Sequence, residues 1–289
     1  MFLMISSNQS VAPNEICVDI GGTPILLRTT SPEFRELIAA RYTGFVAEPA
    51  HPESTFDIDL LPQPLIALND DPPENTTDAD DDDEIPLIVR HDRGHWLLQR
   101  GDFRAHWNVT TREGKIVQAP TPYAIDTVLR IVHSLIQADR GGFLLHGASA
   151  IRNGKAFLFS GVSGAGKTTI SRLAPPDATV LTDEISYIRF NNGGYQACGT
   201  PFAGELARVG ENAQAPIEHL FFLAKGPENR IEQIRHADAL RMLLRNILFF
   251  ADDSSLVESV FHSANQFLDR VPVSRLTFYP DVHVWDLIR

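Results

Sequence analysis

Phe157-Leu158-Phe159-Ser160-Gly161-Val162-Ser163-Gly164-Ala165-Gly166-Lys167-Thr168-Thr169-Ile170 runs from an apolar stretch into Gly-x-x-x-x-Gly-Lys-Thr and then into a helical pattern. That order predicts a strand, a glycine-rich loop and a helix, an arrangement in which backbone N–H groups converge on the phosphates of a nucleotide. Gly161, Val162, Ser163, Gly164, Ala165, Gly166, Lys167, Thr168 and Thr169 are the expected nucleotide contacts. Lys167 is positioned to reach the terminal phosphates as a point charge, and the Thr168 hydroxyl to ligate Mg²⁺. The chain has only four lysines, at 115, 155, 167 and 225. A chance match behind a strand-like run is therefore rare, and the expected ligand is ATP with Mg²⁺.

The flanks of the loop narrow the fold. Residues 143–151 read as a strand that carries His146, and Asn153-Gly154 follows as a two-residue hairpin turn. The strand feeding the loop then pairs antiparallel with its predecessor, which predicts a mixed sheet. After the loop, Pro175-Pro176 stops a short helix. Residues 178–182 form an apolar strand that delivers Asp183-Glu184 at its C-terminal end, where phosphoryl transfer needs a metal-side acid and an acceptor for a hydroxyl proton. Taken alone, His146 in an apolar strand fits a satisfied core histidine better than a catalytic one, and two adjacent acids also fit an exposed turn.

The ordered set His146-Gly147, hairpin, Gly-x-Ser-Gly-x-Gly-Lys-Thr and Leu-Thr-Asp183-Glu184 resembles the catalytic core of the HPr kinase/phosphorylase family, over about residues 140–190 and loosely to 250. The resemblance implies an α/β fold with a mixed-sheet core of the HPr kinase C-terminal type, shared with ATP-dependent phosphoenolpyruvate carboxykinase. It implies ATP-dependent transfer to a serine hydroxyl, with Lys167 on the β/γ-phosphates and Asp183 as the base. Glu184 stands near the metal, and His146 occupies the place of the family's active-site histidine. The family's Glu-Ile-Arg-Gly-Leu-Gly signature is absent. The segment 204–210 is read as its replacement, with Glu205 as a further metal-side acid and Arg208 as a charge clamp. The family's Pro-Gly-Arg segment is also missing. The chain thus looks nearer to relatives that modify serine in ribosomally made peptides, with a serine-containing peptide or small carrier protein as acceptor. A homo-oligomer is implied by the resemblance alone. A metabolite-hydroxyl kinase and a non-catalytic ATP-binding module are the alternatives, and a carboxykinase is the weakest fit.

Upstream, residues 1–119 read as a small α+β module, and residues 120–289 as the kinase core. Strands are expected at 15–20, 25–28, 56–60, 87–90, 96–99 and 103–109, with a helix opened by Ser31-Pro32. A second helix is expected from a Thr121 cap and Pro122, with Ile125, Val128, Leu129, Val132, Leu135 and Ile136 on one stripe. Downstream, helices are expected at 237–250 and 254–268, and strands at 219–223, 230–234, 273–279 and 282–288. His91, His95 and His106 have no acidic or thiol partner at ligand spacing, so a metal site is not expected there.

The net charge is −12, but the tract 70–84 holds nine acids and no base, so the rest carries −12 + 9 = −3. That tract, within an acidic loop at 69–84, fails the calcium-loop pattern. Counted from Asp78, position 6 is Asp83 rather than Gly and position 12 is Val89 rather than Glu. A solvated loop is expected there. No basic stripe suggests nucleic acid, and no apolar run is long enough to span a membrane. The apolar start at Met1 to Ile5 lacks the flank of a signal peptide. Cys17 and Cys198 have no metal or redox spacing and are expected as free thiols in a cytoplasmic protein.

Overall fold

A computed structural model describes residues 14–48, 51–61, 86–204, 206, 209–251 and 253–289. The start at Met1 to Ile5, the acidic loop at 69–84, Glu205 and Arg208 lie outside the described residues.

β1 (Asn14–Ile20) and β2 (Thr23–Thr29) fold back at Gly21-Gly22, where φ values of 61° and 73° suit glycine. Ile16, Val18 and Ile20 alternate onto one buried face. α1 (Pro32–Arg41) begins as the sequence predicts: Ser31 Oγ accepts the Phe34 N–H at 3.1 Å, with proline at the first helical position. β3 (Val46–Ala47), β4 (Ser54–Leu60), β5 (Ile88–Asp92), β6 (His95–Arg100), β7 (Phe103–Asn108) and β8 (Glu113–Gln118) complete an eight-stranded sheet, ordered β3-β1-β2-β4-β8-β7-β6-β5. β4 runs parallel to both its neighbours. The polar stretch that becomes β8 has no alternation of its own. It is a strand because β4 and β7 pair with it on either side.

α2 (Tyr123–Asp139) is buried at 13 of its 17 residues, as a helix packed on two sides must be. It shares one hydrophobic cluster with Phe34 and Ile38 of α1, with Phe56, Trp96 and Phe103 of the first sheet and with Leu144, Ile185 and Tyr187 of the second. Its buried Asp126 accepts hydrogen bonds from Arg41 and from the Tyr42 hydroxyl, tying it to the end of α1. The expected Thr121 cap is not formed. Pro122 occupies the cap position without a side-chain bond, and the Thr121 carbonyl accepts from Gln118 Nε2 at 2.7 Å. A residue before proline is held extended, and here that leaves Thr121 outside the first turn.

The second sheet grows from β9 (Phe143–Arg152) and β10 (Lys155–Ser160), joined at Asn153-Gly154. Both turn residues have positive φ, 54° and 76°. β10 pairs antiparallel with β9 and parallel with β14 (Gln214–Lys225), so the sheet is mixed, as the hairpin requires. α3 (Lys167–Arg172), β11 (Ala178–Thr182), β12 (Ile185–Asn191) and β13 (Gly194–Cys198) follow the loop. β11 and β12 lie end to end on one side of β9. Beyond β14, β17 (Val273–Phe278) pairs parallel with it, and β15 (Arg230–Gln233) forms the far edge. α4 (His236–Asn246) and α5 (Ser254–Leu268) complete the unit.

Two downstream expectations are corrected. α4 stops at Asn246, and Ile247–Leu248 become β16, paired with Leu145 and Leu144 of β9. An open strand edge and a β-branched residue override the helical stripe there. Val282–Leu287 is a 3-10 helix rather than a strand, capped by Asp281, whose Oδ1 accepts the His283 N–H at 3.0 Å. Val284, Trp285 and Ile288 bury at helical spacing, and the indole N–H of Trp285 donates to Ile170 O at 3.1 Å beneath α3.

Both cysteines are buried free thiols, pushed up to about 11 chiefly by that burial. No helix among the described residues is long and apolar enough to cross a membrane.

His133 of α2 is fully buried, and neither ring nitrogen has a hydrogen-bond partner among the described residues. Burial, and then the charge of Arg140, drive its pKa down to about 3. Between about pH 3 and 6.5 the unfolded chain therefore holds one more proton at this residue than the folded one, and stability rises with pH across that window. Urea melts of the wild type and His133→Leu across this range should show a shallower slope of stability against pH in the variant. Equal slopes would refute the assignment.

Candidate active site

The loop between β10 and α3 takes its shape from glycine. Gly161, Gly164 and Gly166 have φ of 154°, 73° and 111°, and a Cβ on Gly166 would meet the Phe278 ring at 2.6 Å. Lys167 closes back over the loop: its ammonium donates to Gly161 O at 3.0 Å and to Val162 O at 3.4 Å. Ala165 faces inward, 7% exposed, with its N–H donated to Val162 O. Beneath it Ile170, Phe159, Phe221 and Trp285 form a rigid apolar floor.

Most of the residues expected at the site line one cleft of about 380 Å³. His146 enters from β9, Ser163, Gly164, Gly166, Lys167, Thr168 and Thr169 from the loop and α3, and Asp183 and Glu184 from the end of β11. Gly161 and Val162 lie on the other side of the loop, lining an adjoining cavity. Thr182 sets the turn that presents the two acids, its Oγ1 accepting from the Glu184 and Ile185 N–H groups at 3.3 Å.

Asp183 is 4% exposed. Its Oδ1 accepts the Gly204 N–H at 3.1 Å and its Oδ2 the Leu206 N–H at 3.0 Å. Each oxygen has lone-pair capacity for a further donor. Gly204 fits there because it lacks a side chain: a Cβ would stand 2.7 Å from Glu184 Oε2 and 2.9 Å from Asp183 Oδ2. Glu184 also faces Arg130 of α2, Nη1 to Oε1 4.0 Å, and that guanidinium lies 4.9 Å over the Phe202 ring. His146 is half-buried, its pKa lowered first by burial and then by the charges of Lys167 and Arg130. The imidazole is neutral at pH 7.

Three residues of this site were not singled out from the sequence. Arg130 is a lone cation in a buried helix, which is itself a signal. Lys225 ends β14 and lines the cleft because β14 runs parallel beside β10, a pairing between strands far apart in the chain. Gly204 carries no chemistry and is recognisable only from the carboxylates it touches.

Thr168 and Glu184 supply hard oxygen donors in the same cleft as Lys167, which fits Mg²⁺ held by one or two protein oxygens together with phosphate oxygens. Among the described residues no group of three or more His, Cys, Asp or Glu side chains is arranged to hold a metal ion unaided. His91 stacks on Trp96 with ring centroids 4.3 Å apart, and its Nδ1 lies 2.9 Å from Asp253 Oδ2. That contact joins β5 to the cap of α5.

A family model described as SynChlorMet cassette protein ScmC matches residues 121–280, which span the whole cleft. A distant structural likeness exists to the "Hpr(Ser) kinase/phosphatase from Coxiella burnetii", at 10% sequence identity and a TM-score of 0.24, covering 44% of this chain and 92% of that one. At that TM-score the likeness carries neither fold nor function. No curated protein matches the chain.

The charge of Lys167 contributes to the depressed pKa of His146. An NMR titration, with the His146 signal assigned through His146→Gln, should give a value below the usual 6.5 that rises in Lys167→Met. An unchanged value in that variant would show that the two side chains do not sense one another.

Proposed function

The chain belongs to the family of SynChlorMet cassette protein ScmC, and we propose that it carries out ATP-dependent phosphoryl transfer to a serine hydroxyl of a peptide or small protein. The observation that carries this reading is the convergence of Lys167, Thr168, Asp183, Glu184 and His146 on one cleft from three separate elements. A site that only held a nucleotide would not need a buried carboxylate and a neutral imidazole beside the phosphate loop.

In this reading the loop amides and Lys167 hold the phosphates. Thr168 and Glu184 hold Mg²⁺, which when bound offsets phosphate charge. The serine oxygen forms the new bond to the γ-phosphorus. The bond from that phosphorus to the β–γ bridging oxygen breaks, its electron pair leaving with ADP. The hydroxyl proton passes to the Asp183 carboxylate, through the lone pairs left by its two backbone bonds. Neutral His146 accepts or donates a hydrogen bond at the acceptor side without adding charge. Arg130 orients Glu184 from behind.

One observation favours a second reading, a nucleotide-binding module without catalysis. The two backbone bonds of Asp183 are also what a structural anchor for Gly204 and Leu206 would make. Two variants separate the readings. Lys167→Ala should abolish ATP binding, measured by calorimetry. Asp183→Asn should keep ATP affinity within a few-fold while phosphoserine formation, followed by mass spectrometry with Mg·ATP and serine-containing peptides, falls by about 10²–10⁴-fold. Wild-type protein that binds ATP and forms no phosphoserine would support the second reading. ADP release with small hydroxylated metabolites alone would redirect the acceptor class.

A further inference from the structure

The ladder along β9 is broken at His146. On the side of β9 opposite β11 and β12, β10 pairs as far as Ser160 with Gly147, and β16 takes over at Ile247 with Leu145. His146 falls between them and pairs only with Ile185 of β12, on the other side. Its carbonyl accepts Ser160 Oγ at 2.8 Å, which closes the end of β10 where the phosphate loop departs.

A cavity of about 520 Å³ opens at this break. One wall is Gly161, Val162 and Ser163, the start of the loop, and the other is the end of α4 running into β16. His146 and Ser163 also line the nucleotide cleft, so the two spaces meet there. Lys167 closes onto Gly161 and Val162 from the far side, which puts the charge meant for the terminal phosphates next to this cavity.

Three features describe an occupant. Val162 is 73% exposed, and Met242 and Leu248 stand in the same cavity, giving an apolar lining. Arg245, in the last turn of α4, lines the cavity and has no ion-pair or hydrogen-bond partner among the described residues. β16 pairs only with β9, so among the described residues its second edge has no ladder partner. An open strand edge takes an extended backbone, and an unpaired guanidinium takes a carboxylate.

We propose that this break seats the acceptor as an extended peptide segment. It adds to the outer edge of β16, places its serine hydroxyl at His146, and sets an acidic residue flanking that serine against Arg245. This rests on the phosphoryl-transfer reading and specifies its substrate: a serine in an extended, acid-flanked stretch.

The test uses the full chain and two short synthetic peptide pools with a fixed central serine, one flanked by Glu and the other by Lys. Binding is read by fluorescence anisotropy without nucleotide, and phosphoserine by mass spectrometry with Mg·ATP. The Glu pool should bind the wild type about fivefold more tightly, and Arg245→Glu should reverse that preference. N-methylation of the peptide amides should abolish binding. Equal affinity of both pools for both proteins, no binding of either pool, or tolerance of N-methylation would overturn the proposal. Phosphoserine formed in spite of such a result leaves the kinase reading standing. A charge preference that reverses with Arg245→Glu while no phosphoserine forms keeps the peptide seat and removes the kinase.

Discussion

The register of one hairpin governs this molecule. Asn153-Gly154 closes β9 on β10 with Ser160 opposite Gly147. A slip of one residue would turn every side chain of β10 to the opposite face. Phe157 and Phe159 would leave the floor beneath the glycine-rich loop, and Leu158 would leave the cluster it shares with Leu145 and Leu220. The same register brings the first loop residue, Gly161, level with His146. The tight turn thus determines how the glycine-rich loop, the histidine and, through β11 on the opposite flank of β9, the acids Asp183 and Glu184 stand relative to one another.

α2 couples this arrangement to the first sheet. A helix exposed on one face could rotate at small cost, but α2 is packed on two sides and held at Asp126 by Arg41 and Tyr42. Arg130 is therefore carried on a fixed scaffold to the back of Glu184. The matched family model begins at residue 121, and the eight-stranded sheet before it packs against α2 in the cluster that fixes the helix. Residues far from the cleft in sequence thereby hold one of its cations in place.

Local chemistry was readable where neighbours in the chain settle it. Ser31-Pro32 capped α1 as expected, Asn153-Gly154 turned, and Pro175-Pro176 ended α3 after six residues. The misjudged elements are those settled at a distance. The helical stripe of α4 runs on to Phe250, yet the open edge of β9 at Leu144 and Leu145 draws Ile247 and Leu248 into a strand. β8 is a strand only because β4 and β7 flank it. A strand is expected at 282–288, but the Asp281 cap and the space under α3 wind that segment into a 3-10 turn. Each error followed a correct local preference that a tertiary partner outweighed.

The sequence by itself determined the glycine-rich loop, the mixed pairing of its strand and the order in which His146, Lys167, Thr168, Asp183 and Glu184 follow one another, because glycine turns and short-range residue spacing act over a few positions. Only the tertiary structure decided that Asp183 is buried and accepts the N–H groups of Gly204 and Leu206, and that Arg130 and Lys225 join the site. It alone broke the β9 ladder at His146, opening a second cavity beside the glycine-rich loop. These features arise from strand order and helix packing between segments far apart in the chain, and residue spacing carries no record of them.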